Sequence, residues 1–292
     1  MRKSLSVKKW LAAPLGVALI MGAGLLPAGC GGQTRGASGF SGRVRVSGST
    51  TLLALIQEAS IEFMDANPRA RVDVQGGGSS TGITQLKSGI VQIANSSREL
   101  KGDEAGRGLV DHKIAFDIIA IIVNPSLKIR NLTSAQVKAI FTGKVRNWKA
   151  VGGPDKEIVV VVRDQASGTR EVFDQKALGS TKEHPVASEP TAIESPSNGY
   201  VQEIVATTSN TIGYLSYGFV NKTVRAVSVN GVLPGVSAAT DGRYPMARWL
   251  HMFTKGQASG AVEGFIDFVL SPEFQRKVVS QEYIEVAKVP KR

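Results

Sequence analysis

Four short segments of the sequence combine hydroxyl side chains with glycine, arginine or both. They are SGSTT (47–51), GGGSSTG (76–82), NSSRE (95–99) and RDQASGTRE (163–171). Each lies between an apolar, strand-like run and a polar or helical stretch. The N–H groups at a helix N-terminus are unpaired and carry partial positive charge, and glycine lets a ligand approach the backbone closely. The four segments therefore indicate an anion-binding site.

Capping explains any one of these segments on its own, because Ser and Thr are the preferred residues at helix N-termini. Four such segments in one order, two of them with arginine, favour binding over capping alone. In the last segment Arg163 ends a strand and is the expected charge partner of the anion. Arg170 lies one residue into the helix, where it either faces solvent or braces the fold.

A second interpretation is an exported serine hydrolase. Residues 78–82 match G-x-S-x-G, which would make Ser80 a nucleophile, with Asp241 and His251 as its partners. The motif is short, and His251 sits in an apolar segment where a structural histidine is the simpler reading. We expect no enzyme, no metal and no cofactor, since no His/Cys/Asp cluster has ligand spacing and no lysine follows a glycine loop.

Strands and helices alternate along the chain, which predicts an α/β fold with a largely parallel sheet. The run LLALIQEASIEFMDANP (52–68) has helical spacing, and LTSAQVKAIFTG (132–143) predicts a helix capped by Thr133 or Ser134. Two long apolar segments, HKIAFDIIAIIVNP (112–125) and RYPMARWLHMFTKG (243–256), read as strands that cross from one part of the molecule to another. The anion site is expected where strands end and helices begin.

Residues 1–29 have a basic start and a short apolar core, the pattern of a secretory signal peptide. Cys30 stands where a bacterial lipoprotein carries its lipid, although Pro27 replaces the leucine usual in that signal. The alternative is an ordinary signal peptide with an incidental cysteine. Residues 30–42 would form a flexible Gly/Ser-rich tether. Because Cys30 is the only cysteine, no intramolecular disulfide can form.

The chain is basic, with a formal charge of +11. Residues 1–29 hold four basic side chains and no acid, which leaves about +7 on the remainder. This balance suits an anionic ligand or anionic lipid headgroups. Nucleic acid is a poor fit, because the chain is exported and has no dense basic run interleaved with aromatics.

The segments IFTGKVRNW (140–148), SGTRE (167–171) and SNTIGYLSYGFV (209–220), together with the hydroxyl corners, resemble the phosphate-binding proteins of bacterial Pst ABC transporters. The resemblance extends over residues 43–285. It implies a type II periplasmic-binding-protein fold, in which two α/β lobes joined by two crossing segments close on one phosphate. The expected lobes are residues 43–119 with 246–292, and residues 120–245.

The resemblance also implies a set of phosphate ligands from both lobes. These are Thr50, Thr51, Ser79, Ser80, Ser97, Arg163, Ser167, Gly168 and Thr169.

The best-known branch of the family has an aspartate where this chain has Ser97, followed by Arg98. Such an aspartate accepts the proton of hydrogen phosphate and so rejects sulfate, which has none. Asp117 and Asp164 are the candidates to replace it, unless Asp117 only makes a hinge hydrogen bond and Asp164 a local salt bridge. Arg98 either adds charge to the site or faces solvent.

The resemblance implies an extracytoplasmic solute-binding protein that delivers inorganic phosphate to the permease of an ABC transporter. It would act as a monomer held at the membrane through Cys30. Two alternatives within the fold are a receptor for sulfate, molybdate or tungstate, and a phosphate sensor. In each case the ligand would favour the closed state, where both lobes donate to it.

Overall fold

The structure is a computed structural model that describes residues 39–106, 108–179 and 192–290. The predicted signal peptide, Cys30 and the tether up to residue 38 lie outside these ranges. In chain order the strands are β1 (Ser41–Gly48), β2 (Arg69–Gln75), β3 (Ile93–Ser96), β4 (Leu109–Val123), β5 (Asn131–Leu132), β6 (Val159–Arg163), β7 (Ala192–Ser195), β8 (Thr211–Ser216), β9 (Arg225–Ala226), β10 (Ser228–Val229) and β11 (Ala247–Lys255).

Helices follow most strands, as the alternation predicts. They are α1 (Leu53–Ala66), α2 (Ser79–Lys87), α3 (Ser134–Phe141), α4 (Gly168–Phe173), α5 (Asn198–Thr207), α6 (Val236–Thr240), α7 (Gly260–Leu270), α8 (Pro272–Phe274) and α9 (Ser280–Glu282). Turns of π-helix extend α4 over Asp174–Leu178 and join α8 to α9 over Gln275–Val279. Within the described ranges, no helix combines the length and hydrophobicity needed to cross a membrane.

One nine-stranded sheet runs through the described residues in the order β2-β1-β3-β11-β4-β8-β6-β7, with β9 beside β4. Strand β4 joins its two halves. It pairs with β11 from Leu109 to Ile118 and with β8 from Ile119 to Val123. We call β2, β1, β3 and β11 the first half, and β8, β6 and β7 the second half.

The sheet is mixed, whereas the alternation predicted a largely parallel one. Pairs β1–β2, β1–β3, β6–β7 and β6–β8 are parallel. The strands predicted to cross, β4 and β11, are antiparallel to each other, and β11 also runs antiparallel to β3. A strand that passes from one half to the other and a strand that returns must run in opposite directions, which accounts for the difference.

Each half packs its own apolar side chains. In the first half Ile56 and Phe63 of α1 pack with Phe265 of α7, all at most 1% exposed. In the second half Phe173 stacks on Tyr214 with ring centroids 3.9 Å apart. Large buried rings fix the positions of the strand ends, because a packed core resists displacement.

Helix starts match the sequence in part. Thr133 is the cap of α3 and forms a capping box with Gln136, which decides between Thr133 and Ser134. Helix α2 begins at Ser79, within the GGGSSTG segment. Ser79 and Ser80 therefore lie in the first turn of a helix, where backbone N–H groups lack helical partners.

Candidate functional site

The four hydroxyl-rich segments meet between the two halves of the sheet, beyond the carboxyl ends of β1, β3 and β6. Thr51 Oγ1 lies 3.1 Å from Thr169 Oγ1. The N–H of Ser80 donates to the carbonyl of Ala166 at 3.1 Å. Segments more than eighty residues apart in the sequence thus form one polar cluster, as expected for strand ends that face a common cleft.

Serine hydroxyls organise the backbone on both sides of this cluster. Ser79 Oγ accepts the N–H of Ser97 at 3.0 Å and lies 3.3 Å from Ser97 Oγ. Ser167 caps α4 by accepting the N–H of Arg170 at 3.2 Å. Ser79 and Ser97 are at most 1% exposed and Ser167 is 3% exposed. The capping interpretation therefore holds for Ser167, alongside its place in the site.

At two positions the two halves of the sheet approach each other so closely that only glycine fits. At Gly78, where φ is +92°, a Cβ would lie 2.5 Å from the carbonyl oxygen of Ala166. At Gly168 a Cβ would overlap Ser79 Oγ and lie 2.8 Å from Ser97 Oγ. Neither glycine can gain a side chain unless the facing segment moves away.

Gly168→Ala should destabilise the protein by about 1–3 kcal/mol, because the added methyl collides with buried serines of the other half. Urea denaturation measures the effect. Gly199→Ala is the matched control, since Gly199 also lies in the first turn of a helix and its Cβ would meet only Ser197 Oγ at 3.8 Å. Equal stability of the two variants would contradict the close approach.

Arg163 is the most completely buried cation of the cluster, at 1% exposed. Its Nε donates to the carbonyl of Ser195 at 3.1 Å, and its Nη2 donates to Pro196 O at 2.9 Å and Thr50 Oγ1 at 3.2 Å. Its Nη1 is buried with no hydrogen-bond partner among the described residues. Burial lowers the pKa of Arg163. A buried guanidinium with a free donor is stabilised by an anion.

Arg248, on β11, is a second buried cation that the sequence interpretation did not identify. It is 5% exposed, and its Nε and Nη2 contact Asp117 Oδ2 at 3.0 and 2.7 Å. Its Nη1 donates to the carbonyl of Ser97 at 3.1 Å. Through this hydrogen bond Arg248 braces the NSSRE segment (95–99). The sequence signal that could have identified Arg248 is its position as a charged residue inside an apolar strand.

Thr51 is held by residues from distant parts of the chain. Asn198, at the start of α5, donates to Thr51 Oγ1 at 2.9 Å, and Arg248 Nη2 lies 3.4 Å from the same oxygen. The hydroxyl of Tyr283 donates to the Thr51 carbonyl. No local sequence signal indicates Asn198 or Tyr283, because both act through tertiary contacts.

The two candidate proton acceptors lie in different surroundings. Asp117 is 2% exposed, and Arg248 and Ser216 engage both of its oxygens, with Ser216 Oγ donating at 2.7 Å. The N–H of Ser167 donates to the backbone carbonyl of Asp164 at 3.2 Å, and the buried carboxylate oxygen Oδ1 of Asp164 has no partner among the described residues. Burial raises the pKa of Asp164, and the charge of Arg163 opposes that rise.

Arg98 does not face solvent, so that expectation for it was wrong. It is 2% exposed, and its guanidinium contacts Glu104 at 2.7 and 2.9 Å. Its Nε also lies 3.0 Å from Glu171 Oε2, which Lys101 Nζ contacts at 2.9 Å. Glu171 belongs to α4, so these ion pairs join the two halves beside the serine segments.

Arg170 braces the second half, which is one of the two roles expected for it. It is 6% exposed, and its Nη1 donates to the carbonyl of Arg163 at 2.7 Å and to Glu194 at 3.2 Å. Arg170 thus fixes the strand end that carries Arg163.

Ser80, Asp241 and His251, the residues expected for a serine hydrolase, do not form a hydrogen-bonded triad. Ser80 Oγ accepts a hydrogen bond from Arg98 Nη2 at 3.2 Å. His251 Nδ1 lies 2.8 Å from Asp111, whereas Asp241 pairs with Arg243. A nucleophilic serine needs a base within hydrogen-bond reach, and His251 is not such a partner of Ser80 here. The cluster instead offers buried donors to a bound anion.

A family model described as a PBP superfamily domain matches residues 33–273. The phosphate-binding protein PstS of Bacillus subtilis (strain 168) is 37% identical over 259 residues, which covers 87% of this chain and 84% of that protein. PstS of Borreliella burgdorferi is 32% identical over 250 residues, covering 83% of this chain and 90% of that protein.

Solved structures give the same result. A phosphate ABC transporter substrate-binding protein from Clostridium perfringens, solved with bound phosphate, superposes with a TM-score of 0.79 at 33% identity and covers 84% of this chain and all of that one. An ABC-type phosphate transport receptor from Vibrio cholerae has a TM-score of 0.71 at 33% identity, covering 82% of this chain and 99% of that one.

Proposed function

The chain belongs to the PBP superfamily and, within it, to the phosphate-binding proteins named PstS, and on that premise we propose that it captures inorganic phosphate and delivers it to an ABC permease. Its fold is the type II periplasmic-binding-protein fold. Its homologues are substrate-binding components of transporters rather than enzymes, and we propose that this chain likewise performs no covalent chemistry.

The observation that carries the proposal is the buried guanidinium of Arg163, whose Nη1 has no partner among the described residues. A dianion such as hydrogen phosphate supplies the countercharge that a buried arginine requires. The N–H groups at the start of α2 and α4 add neutral donors and partial positive charge. We assign phosphate contacts to these two helix starts, to Thr50, Thr51 and Ser97, and to Arg163.

We propose that the two halves of the sheet are the cores of the two lobes. Strand β4 changes partner between Ile118 and Ile119, which supports a boundary near residue 119, and β11 begins at Ala247, close to the expected return at residue 246. The hydrogen bond between Thr51 and Thr169 and the ion pairs of Glu171 exist only when the lobes are together. Phosphate that contacts both lobes stabilises this closed arrangement.

We place the protein outside the cytoplasm, anchored through a lipid on Cys30. The basic and apolar pattern of residues 1–29 supports export, and the position of Cys30 supports lipidation. We propose that it binds phosphate as a monomer, because one chain supplies donors from both halves of the site. Mass spectrometry of the protein from its native membrane would detect the diacylglyceryl group on Cys30.

We assign the acceptor of the phosphate proton to Asp164 rather than Asp117. Asp164 has a buried carboxylate oxygen with no partner among the described residues, whereas both oxygens of Asp117 are engaged. A site with a fixed acceptor rejects an anion that has no proton to donate, because the acceptor is then left unpaired. Sulfate is such an anion.

Asp164→Asn should reduce the preference for phosphate over sulfate by about tenfold or more, because the amide can donate to sulfate where the carboxylate repels it. Isothermal titration calorimetry at neutral pH with each anion measures the preference. Asp155→Asn is the matched control, since Asp155 is exposed and pairs with Asn147 and Lys149.

Three results of these titrations bear on different claims. A wild-type protein that binds phosphate and sulfate equally, or binds no phosphate, would contradict the proposed function. An unchanged preference in Asp164→Asn would contradict only the acceptor assignment. A loss of preference in Asp117→Asn instead would move that role to Asp117.

A further inference from the structure

A second cluster of ligating side chains lies near the phosphate site and takes no part in it. Glu99, Asp111 and His251 place one ligand atom each within 4.8 Å of one another. They come from the segment after β3, from β4 and from β11. The His251 side chain is 0% exposed, whereas Asp111 is 34% and Glu99 65% exposed. The cluster thus has a buried nitrogen at its base and carboxylates toward solvent.

Asp111 determines the protonation of the imidazole. His251 Nδ1 lies 2.8 Å from Asp111 Oδ1, and an ionised carboxylate only accepts hydrogen bonds. Nδ1 therefore carries a proton, and in the neutral tautomer Nε2 holds the lone pair. A histidine whose far N–H is held by a carboxylate is the usual arrangement of a metal ligand, because it fixes the ring and raises its basicity.

The free nitrogen of His251 faces a carboxylate without bonding to it. Nε2 is buried and has no hydrogen-bond partner among the described residues, and it lies 3.6 Å from Glu99 Oε1. A lone pair and a carboxylate oxygen repel each other at this separation. A cation between Nε2 and Oε1 would replace this repulsion with two favourable contacts.

The separation suits a metal ion better than a proton. A hydrogen bond between nitrogen and oxygen spans about 2.7–3.2 Å, which is shorter than the separation seen here. Zinc bonds of about 2.0–2.1 Å to nitrogen and 2.0–2.2 Å to oxygen at a tetrahedral angle place the two atoms about 3.3–3.5 Å apart. The 3.6 Å between Nε2 and Oε1 is close to that value.

Neighbouring positive charges are already engaged elsewhere. Arg98 pairs with Glu104 and Glu171, and Lys101 also contacts Glu171. Lys113, opposite His251 on β4, places its ammonium group 5.3 Å from the ring centre of Trp249. Within the part of the chain that the structure describes, these cations leave the two carboxylates beside His251 with a net negative charge, which suits a divalent cation.

We propose that His251 and Glu99 bind a divalent transition-metal ion of the zinc type, with Asp111 as the positioning residue that holds the imidazole. A cavity of about 320 Å³ borders both His251 and Glu99 and leaves space for water to complete the coordination. The bound ion would tie the NSSRE segment, which contains Ser97 and Arg98, to β11. The spacing along the sequence does not indicate this site, because its members are 12 and 140 residues apart.

Calorimetric titration of the full chain with Zn²⁺ alone tests the proposal. The protein is prepared without a histidine tag, stripped with a chelator and kept free of phosphate, which would precipitate zinc. Cys30→Ser serves as the background, because a free thiol also binds zinc. We expect saturable binding of one Zn²⁺ per chain and a rise in melting temperature with zinc concentration.

Variants of the three residues should differ in a defined order. His251→Gln removes the only nitrogen ligand and should abolish saturable binding. Glu99→Gln should weaken zinc binding by about tenfold or more. Asp111→Asn should weaken it by about 10–100-fold, because the hydrogen bond that holds the imidazole is lost. Glu99 is exposed, so its variant should fold normally even if the buried His251 variant does not.

His112→Gln is the matched control, since His112 is adjacent to Asp111 in sequence but its Nε2 contacts Thr254 Oγ1 at 3.2 Å. It should bind zinc as the background protein does. The proposal is overturned if the background protein shows no saturable zinc heat. It is also overturned if Glu99→Gln and Asp111→Asn bind zinc with unchanged affinity, since the ion would then be bound elsewhere.

Discussion

Arg163→Ala is expected to weaken phosphate binding by about 100–1000-fold, the largest loss for any single side chain of the site. Nη1 of the buried Arg163 has no partner among the described residues, and removal of Arg163 would leave the bound dianion without its main countercharge. Calorimetry with phosphate measures the dissociation constant. Arg163→Lys should recover part of the affinity, because the ammonium group restores the charge but not the planar set of donors.

Part of the effect of Arg163→Ala could come from the lost contacts to Ser195 and Pro196 rather than from the anion. Arg225→Ala is the matched control, because Arg225 likewise donates to two backbone carbonyls, those of Pro125 and Leu127. We expect it to bind phosphate normally. If both alanine variants bound phosphate with equal affinity, Arg163 would have no role as the charge partner.

Arg248→Met should lower the free energy of unfolding by about 3–5 kcal/mol. The methionine fills much of the arginine volume but leaves the buried carboxylate of Asp117 without its partner and the carbonyl of Ser97 without its donor. The side chains of the pair are 3% and 1% exposed, so water cannot compensate. Urea denaturation of the wild type and the variant measures the difference.

The double variant Arg248→Met/Asp117→Asn should be more stable than Arg248→Met alone, because it no longer buries an unpaired charge. The exposed pair Arg43–Asp73, with side chains 71% and 45% exposed, provides the control. Arg43→Met should leave the free energy of unfolding almost unchanged. If Arg248→Met were equally harmless, Asp117 would not depend on Arg248 for its charge.

The local features of the fold were predictable from short stretches of sequence. The capped helix at Thr133, the long strand β4 and the α1 helix follow from spacing and from residue types that act on their own backbone. The hydroxyl segments were also visible, since each combines donors within a few residues. Their convergence followed from the rule that parallel strands end at a common edge.

Interactions between distant residues were not predictable in this way. Arg248 pairs with Asp117 across 131 residues, and Arg98 meets Glu171 across two segments whose separation depends on the packing of both halves. Arg98 was expected to add charge to the site or to face solvent, and its burial excludes the second role. Which charges pair depends on strand register and on the register shift between β4 and β11, where Leu250 pairs with Ala115 but His251 pairs with Lys113, and neither has a local sequence signal.

The sequence alone determined the kinds of donors, the charge and the strand and helix pattern, because these depend on a residue and its close neighbours. The tertiary structure decided which arginine has a donor nitrogen without a partner among the described residues and which aspartate is paired with an arginine. It also decided which nitrogen of His251 faces a carboxylate. Those outcomes depend on burial and on distances between segments, and in a low-dielectric interior they set the energy of every charge. Arg163 and Arg248 are the same residue type, and only their partners distinguish the proposed anion ligand from a brace.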